Sequence, residues 1–432
     1  MSDLTLTDYI TQHGMQSMDK ALAAERYPLW KRNCPELTDS DFIRLGIVRC
    51  ISAVDSGRHF LQIADDLHQE QIAVSSYFNA LKSSRRAAML TVVERQSYQL
   101  HCDTLQAQGI DYLSDFPELD DYTVEAADGH FMEHACHTEK ASNGSVYAAG
   151  FIYALNLRNG LLSPLCMVTN GTRKSQEIPI LRAQLEKNNR QKCQDQKQLY
   201  VYDKAVTDYA WWDQQKTQNN AMISMLKENS SATWVDAIPF DRQNPVNTGV
   251  EGYDHYENAK GIRFSVVTYR DPETQQRYRF VTTLPDAINP GAIAILYYKR
   301  WTIEKAFNNS KSNLKETKAW SPHKHALNNQ MRFTAMAYNL LRVLEEVTKQ
   351  CDPERVHPAD KKYTKALEVR QQVAKIRGCF VNPLLFKPRI ARISSYTIRA
   401  VQSAIITGKC YLSFMKKLAA QLVPREEGIL EH

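Results

Sequence analysis

The sequence has no arrangement of cysteines that indicates a fold held together by disulfide bonds. Its nine cysteines are scattered from Cys34 to Cys410, and no two of them form a C-x-x-C pair. An odd number at irregular spacing indicates neither a disulfide framework nor a zinc ribbon. We therefore expect a reducing compartment, the cytoplasm.

The sequence also has no long apolar run. No stretch approaches the roughly 20 apolar residues that cross a bilayer. The first residues show no basic region followed by an apolar one, which is the pattern of a secretory signal. We expect neither such a signal nor a membrane partner.

The composition is that of a globular protein. The 432 residues are 43 % apolar and 24 % charged, and a chain of this length holds about two to four modules with cores of their own. The formal charge of +6 is compatible with a nucleic-acid partner but does not establish one.

A long helix near residue 300 carries the most specific pattern. Asn289 and Pro290 look like a helix cap and a first-turn proline, and no glycine or proline follows from Ala292 to Lys318. Four side chains are spaced three, four and seven residues apart on this helix: Tyr297, Arg300, Glu304 and Lys311. At about 100° per residue they fall within roughly a 60° sector, so they share one face.

This face suits a surface that binds a metal and phosphates together. The carboxylate can bind a hard cation, the cationic groups can neutralise phosphates, and the phenol offers a hydroxyl and a stacking face. The alternative is a solvated face on which Arg300 and Glu304, four residues apart, form a surface ion pair. The chemistry alone leaves both interpretations open.

From Tyr122 onward the pattern changes from helices to strands. The expected order is three strands, a helix and a strand: Thr123–Ala127, Val146–Leu155, Leu162–Thr169, Ile178–Lys187 and Gln198–Tyr202. This order indicates an α/β fold in which helices pack on a mixed sheet.

Two aspartates follow strands of this region. Asp128 comes after the first strand, although the pair Asp128-Gly129 is by itself more often a turn. Asp203 ends Leu-Tyr-Val-Tyr, and Asp208 and Asp213 compete for the same role. Three carboxylates suffice to hold two Mg²⁺ ions about 4 Å apart, an arrangement that cleaves phosphodiesters.

The helix motif resembles that of a known family. Tyr-x₂-Arg-x₃-Glu-x₆-Lys, with Arg-Trp-Thr-Ile-Glu at its centre, is typical of the DDE transposases of the insertion sequence 4 family. The chain resembles that family from roughly Tyr122 to Leu344. It departs from the pattern after Asp203, which is followed by Lys-Ala-Val where relatives often have Arg-Gly.

The resemblance implies a fold and a set of site residues. The fold is an RNase H-like catalytic core with a mostly β insertion before the Glu-bearing helix, flanked by helical segments. The implied catalytic residues and metal ligands are Asp128, Asp203 and Glu304. The implied contacts to the DNA backbone are Tyr297, Arg300 and Lys311.

The same resemblance implies DNA transposition. The transposase would cleave at the ends of an insertion sequence and transfer the 3′-OH to target DNA, with two Mg²⁺ ions that Mn²⁺ can replace. Its partners would be double-stranded DNA, both the terminal inverted repeats and the target, and a second copy of the chain in a dimer. A catalytically silent DNA-binding protein and a metal-dependent nuclease stay open as alternatives, since unrelated activities share one fold.

The expected modules follow the change of pattern along the chain. Residues 1–115 are interpreted as an N-terminal helical, DNA-binding domain, with an ordinary helical bundle as an equal alternative. Residues 116–350 hold the catalytic core, interrupted by a β-rich insertion at about 231–283. Residues 351–432 form a basic helical segment, with a solvated face as the usual alternative.

The N-terminal region has weaker signals of DNA binding. Leu61–His68 and Val74–Leu81, with a short break between them, have the length of a helix-turn-helix but no glycine in the turn. The best candidates for phosphate contacts there are Lys82, Arg85 and Arg86.

Three further patterns lie close to the core motifs. A structural zinc site is the rival metal interpretation, with four ligands crowded together: His130, His134, Cys136 and His137. On a strand, however, His137 would point away from the other three. We expect Trp301 to pack in the core rather than stack on a base, and Lys299 with Arg300 to contact phosphate or water.

Overall fold

The computed structural model describes most of the chain in segments. They are residues 6–23, 36–52, 54, 56–68, 72–132, 134–135, 146–173, 177–189, 197–206, 208–227, 230–272, 274–314, 318–350, 358–376, 378, 393 and 395–408.

The N-terminal part is helical. Its helices are α1 (Leu6–Ala23), α2 (Asp39–Ser52), α3 (Gly57–His68), α4 (Val74–Lys82) and α5 (Ser84–Ala107). They agree with the helical interpretation of residues 1–115, and α3 and α4 cover the two segments of the predicted helix pair, whereas no pattern indicated α1 by itself. The side of α1 that packs against the other helices includes small and polar residues. Gly14 faces Ile43 of α2, and Ser17 is fully buried. Such a side gives only a weak apolar periodicity in the sequence.

The core begins with the predicted three strands, a helix and a strand, together with a short strand after the first that was not predicted. It consists of β1 (Tyr122–Met132), β2 (His134–Ala135), β3 (Val146–Asn156), β4 (Leu162–Arg173), α6 (Glu177–Asn189), β5 (Lys197–Val201), α7 (Tyr209–Lys216), β6 (Asn220–Met225), β7 (Ala232–Ala237), β8 (Val250–Asn258), β9 (Arg263–Arg270), β10 (Arg277–Thr282), α8 (Pro290–Asn313), β11 (Lys318–Ala319) and α9 (Lys324–Gln350).

Nine of these strands form one sheet, and β2 pairs with β11 in a separate two-stranded sheet. The order of the larger sheet is β4-β3-β1-β5-β6-β10-β9-β8-β7. β5 runs parallel to both β1 and β6, and the other neighbouring pairs are antiparallel. The prediction of an α/β fold with a mixed sheet is confirmed.

The β-rich stretch at about 231–283 continues the same sheet, because β10 pairs with β6. The polar stretch Asp254–Asn258 is part of strand β8. There β8 continues to pair with β9, with Tyr253 buried and Glu257 exposed on the strand. Charged residues on the solvent side of a strand resemble a turn in sequence.

The two faces of the sheet are covered by different helices. Val124 and Ala126 of β1 belong to the same apolar core as Leu296 of α8. Ala127, which points to the other face, belongs to a second core with Leu181 of α6 and Trp212 of α7. Because successive side chains alternate between faces, this fixes which strand residues point toward α8.

Helix α9 joins the N-terminal helices to the core. It contacts α2, α4 and α5 on one side and β4 on the other. The ring of Phe333 lies so close to Gly46 that an added Cβ would come within 2.3 Å of it. A pair of buried charges, Glu94 of α5 and Arg332 of α9, joins the same two layers at 2.7 Å.

Two further helices follow the core, α10 (Pro358–Ile376) and α11 (Ser395–Thr407). Helix α11 contacts α1, α2 and α9, and its Gln402 donates to the carbonyl oxygen of Ile51 at 2.9 Å. Among the described helices, none has both the length and the apolar character needed to cross a membrane.

Candidate active site

The register of β1 and β5 brings two predicted aspartates to one level of the sheet. The last registered pair of these parallel strands is Ala126 with Val201. Asp128 and Asp203 each lie two residues further along. Neighbouring strands are about 4.8 Å apart, so the two aspartates lie side by side where β5 ends.

Asp128 is not in a turn. β1 continues through it to Met132, and Asp128 is registered with Tyr153 of β3. The alternative of an Asp-Gly turn is therefore wrong. Asp128 shares the strand face of Ala126, and Asp203 shares that of Val201, and both of these residues belong to the core beneath α8. Both aspartates therefore lie on the α8 face.

Glu304 lies at the border of the buried face of α8. The buried line of this helix runs through Leu296, Ile303 and Phe307. At about 100° per residue, Glu304 is about 80° from this line, and 44 % of its side chain is exposed. Arg300, one turn earlier, is only 6 % exposed, and its Nη2 lies 3.3 Å from Oε1 of Glu304. The predicted i, i+4 ion pair is formed, with a buried guanidinium rather than as a surface pair.

The charges of Asp203, after β5, and of Glu304 both influence the phenol of Tyr297. Burial raises the pKa of Tyr297, the Arg300 guanidinium opposes that shift, and the charges of Asp203 and Glu304 add to it. Both carboxylates therefore act on one phenol. The Tyr297 ring is buried, 5.0 Å from the ring of Phe280 and 5.5 Å from the Arg300 guanidinium carbon.

The three carboxylates are not gathered around one point. Asp128 Oδ1 accepts from the amide of Gly129 at 2.9 Å, and Asp203 Oδ1 accepts from that of Lys204 at 2.8 Å. In the described segments, no three His, Cys, Asp or Glu side chains are close enough together to hold a metal ion. The donor chemistry nevertheless fits Mg²⁺, which prefers carboxylate oxygens and few protein ligands.

The two competing aspartates have other roles. Asp208 caps α7 by accepting from the amide of Trp211 at 3.2 Å, and it pairs with Arg182 at 2.7 Å. Asp213 lies on the exposed side of α7, 4.0 Å from the ammonium of Lys216. Of the three candidates, only Asp203 lies level with Asp128.

A comparison with protein families agrees with this geometry. The family model of the transposase DDE domain matches residues 120–340, more than half of the chain. The chain belongs to this family. The transposase therefore has an RNase H-like core, belongs to a class of DNA-acting enzymes, and its family generally uses divalent metal ions. A search of curated proteins found no match.

The start of α8 in the transposase is fixed by a residue that the sequence did not indicate. Asn247, in the turn Pro245–Asn247, accepts from the amide of Gly291 at 2.9 Å. The predicted cap, Asn289, instead accepts from Nδ2 of Asn247 at 3.3 Å. Asn289 does precede the helix as predicted, and its carbonyl oxygen accepts from the amide of Ala292 at 3.0 Å, but the side-chain capping bond comes from Asn247. The turn approaches so closely that a Cβ on Gly291 would lie 1.8 Å from the carbonyl oxygen of Val246.

Two predictions about neighbours on α8 are wrong. Trp301 is 55 % exposed, because it lies about 140° around the helix from the Leu296–Ile303–Phe307 line. Lys299 is buried and donates to the carbonyl oxygen of Tyr112 at 3.0 Å, so its ammonium is directed into the protein rather than exposed for the expected contact with phosphate or water. The backbone of Lys311 is part of α8, and its side chain lies outside the described structure.

The N-terminal basic residues are largely engaged within the transposase. Arg85 and Arg86 both contact Asp39 of α2, at 2.6 Å and 3.1 Å. Arg86 is buried over the ring of Phe42. Of the three phosphate-contact candidates, Lys82 alone is exposed. Phosphate binding by these residues, and the helix-turn-helix interpretation, stay predictions.

The rival zinc site has one described side chain, that of His130. It is buried, with its ring centroid 5.8 Å from that of Phe307. The backbone of His134 is part of β2, but its side chain lies outside the described structure. Cys136 and His137 lie outside the described residues.

Proposed function

We propose that this transposase cleaves DNA at the ends of an insertion sequence and joins the freed 3′-OH to target DNA. Asp128, Asp203 and Glu304 are assigned as the catalytic carboxylates, which bind two Mg²⁺ ions, with Mn²⁺ as a substitute. The observation that carries this assignment is the shared level of Asp128 and Asp203 beneath the helix of Glu304. The helix motif supports a place in the insertion sequence 4 family.

The carboxylates are suited to phosphodiester chemistry because the transposase needs no nucleophile of its own. Divalent ions supply Lewis-acid stabilisation of the phosphoryl oxygens and a more acidic bound water. The role of the three carboxylates is to bind these ions from two strands and one helix. Tyr297, Arg300 and Lys311 hold the DNA backbone, since a guanidinium and an ammonium neutralise phosphate charge.

The proposed reaction has two steps of one type. In the first, the oxygen of water bonds to phosphorus, the bond to the 3′ oxygen breaks, and the 3′-OH leaves with a proton. In the second, that 3′-OH bonds to a phosphorus of target DNA, and the target's own 3′ oxygen leaves. Both are in-line displacements, so one set of carboxylates can serve both.

The proposed partners follow from this reaction. Pairing two ends of an element requires at least two copies of the chain, so a homodimer forms on DNA. The helices of residues 1–115 bind the terminal inverted repeats, with Lys82 as the exposed phosphate contact. The basic segment 351–432 contributes to a partner or DNA contact. We assign the reaction to the bacterial cytoplasm.

A catalytically silent DNA-binding protein is the second candidate. One observation favours it: no metal-holding group of three side chains exists among the described residues. This candidate binds DNA with strong salt dependence and gives no metal-dependent product. A nuclease on the same fold would cut DNA without joining it, which a strand-transfer assay separates from transposition.

The test is replacement of Glu304 by Gln in the full chain. With DNA that carries the repeats flanking the coding region, we expect Mg²⁺-dependent nicking by the wild type and a loss of at least about 100-fold in Glu304→Gln. DNA binding should be retained. The matched control is Glu257→Gln, an exposed glutamate of β8, which should cleave normally. Unchanged cleavage by Glu304→Gln would reject the assignment.

A further inference from the structure

A pocket opens on the α7 side of the sheet, away from α8. It lies between the start of α7, the end of β6 and the turn between β8 and β9, with a volume of about 410 Å³. Its lining includes Asp208, Tyr209, Lys227, Ser230, Ser231 and Lys260. No part of the helix motif lines it, so it is distinct from the carboxylate site.

The described side chains give this pocket a positive charge. None of them forms an ion pair with Lys227 or Lys260. Asp208, the acidic residue among the described lining residues, is neutralised by Arg182 at 2.7 Å. Two ammonium groups in a concave, hydroxyl-rich site favour a small, multiply coordinating anion, and a phosphate group has the charge and acceptor oxygens for this.

The hydroxyl groups of the pocket are arranged for such an acceptor. Tyr209 Oη and Ser230 Oγ lie 3.2 Å apart, and only one of them donates to the other. The hydroxyl hydrogen of the other residue therefore points away from this pair. The Tyr209 ring is held in place by stacking on Phe264 with centroids 4.2 Å apart, so its hydroxyl position is fixed by packing.

The pocket lies near the end of β5 that carries Asp203. Asp208 follows Asp203 by five residues, a span of at most about 17 Å. Val201 is registered with Ile223, which makes Met225 level with Asp203 and puts Lys227 two residues beyond. Successive phosphates along one DNA strand are separated by about 3.4 Å of helix axis. A strand cleaved at Asp203 can therefore reach the pocket within about five nucleotides.

We propose that this pocket binds a phosphodiester of the DNA strand that is cleaved, within about five nucleotides of the scissile bond. The inference rests on the proposed function for its substrate. Lys227 and Lys260 supply the charge, and Tyr209 and Ser230 supply hydroxyl donors. The pocket then fixes the strand on the α7 side of the sheet while the carboxylates act on the α8 side.

The test combines two substitutions in the chain with single uncharged phosphates in the DNA. Full-length wild type and the double variant Lys227→Gln, Lys260→Gln are titrated with terminal-repeat DNA in which one methylphosphonate at a time replaces a phosphate. For wild type we expect one position near the scissile bond to weaken binding about five- to tenfold. For the double variant, that position should have no further effect, and the slope of log K against log salt should fall by about one to two.

The matched control is the same Lys→Gln substitution at a lysine outside the pocket. Lys197→Gln removes an exposed ammonium that pairs with Asp121 at 3.0 Å, away from the pocket. We expect it to retain the full methylphosphonate effect. Melting temperatures of all variants verify that each is folded, which their exposed or half-exposed lysines favour.

Inorganic phosphate is the second probe. It distinguishes a site for DNA phosphates from a site for free phosphate ions. Phosphate ions that protect wild type but not the double variant against heat, together with a flat methylphosphonate scan, would identify a site for free phosphate and overturn the proposal. A double variant that keeps the wild-type scan would overturn it too. Loss of cleavage is not used as a readout, so the pocket can be supported even if Glu304→Gln shows the proposed reaction to be wrong.

Discussion

The guanidinium of Arg300 lies 3.3 Å from the carboxylate of Glu304, one turn further along α8. The carboxylate proposed to bind metal is thus held by a cation of its own helix. Because Arg300 is buried and Glu304 is partly exposed, movement of Glu304 toward Asp203 would break this pair. A DNA phosphate that takes Arg300 as its partner would release Glu304.

We predict that Arg300→Gln increases the affinity for Mn²⁺ in the absence of DNA. A partly exposed ion pair contributes up to about 1 kcal/mol, so its loss should strengthen metal binding about two- to fivefold. Electron paramagnetic resonance of free Mn²⁺ measures this directly. Arg270→Gln is the control, since that exposed arginine pairs with Glu251 outside the site. Equal or weaker Mn²⁺ binding by Arg300→Gln would contradict the release of Glu304.

The sequence was sufficient to predict α8 and its motif because those signals are local. Pro290 and the absence of later breakers define the helix, and the spacing of Tyr297, Arg300 and Glu304 puts them on one face. The exposure of Trp301 was also within reach. The line through Leu296, Ile303 and Phe307 was visible in the sequence and leaves Trp301 on the opposite side.

The contacts that assemble the site were out of reach because they join distant residues. Asp128 and Asp203 lie side by side only in the observed register of β1 and β5. A shift of one residue would put their side chains on opposite faces of the sheet. The cap on Gly291 comes from Asn247, on a separate turn that packs against the helix start. Periodicity describes each segment by itself and contains no information about such pairings.

The start of α8 should be sensitive to the size of residue 291. In Gly291→Ala the new methyl group would lie 1.8 Å from the carbonyl oxygen of Val246, a backbone atom that cannot rotate away. We expect a loss of about 3 kcal/mol of stability, typical of severe overpacking, measured by calorimetry. Gly252→Ala is the control, because the atom nearest to its methyl group is a movable carboxylate oxygen of Asp254, at 3.0 Å. Similar melting temperatures for both variants would count against the close approach.

The attachment of α1 should weaken in acid. His13 and His101 stack with centroids 4.5 Å apart. Burial, aided by the charge of Lys20, lowers the pKa of His13 to about 4, and burial also lowers the pKa of His101. Both are neutral when folded, whereas the unfolded chain takes up protons below about pH 6.5. Stability is therefore complete above that pH and declines toward pH 4, by roughly 3 kcal/mol for His13.

Hydrogen exchange of the α1 amides at pH 7 and pH 5 measures this decline. We expect faster exchange at pH 5 after correction for the intrinsic rate, and a smaller difference in His101→Phe, which removes one of the two protonation sites. His59→Gln, at an exposed position of α3, should behave as wild type. A pH response that His101→Phe leaves intact would assign the effect to other groups.

The stability of the contact between α5 and α9 should depend on pH in the opposite sense. Arg332 Nη1 donates to Glu94 Oε2 at 2.7 Å, and burial raises the pKa of Glu94 to about 7 in spite of this arginine. A raised carboxyl pKa gives stability that is complete below about pH 4.5 and is lost as pH rises through 7. Arg332→Gln should therefore cost about 3 kcal/mol at pH 8, where it leaves a buried charge unpaired.

At pH 5 the same substitution should cost only about 1 kcal/mol, because Glu94 is then protonated and loses a single hydrogen bond. Calorimetry at the two pH values measures the difference. The double variant Glu94→Gln, Arg332→Gln removes both charges and should recover most of the stability at pH 8. A loss of about 3 kcal/mol at both pH values would mean that Glu94 is still ionised at pH 5, and would contradict its raised pKa.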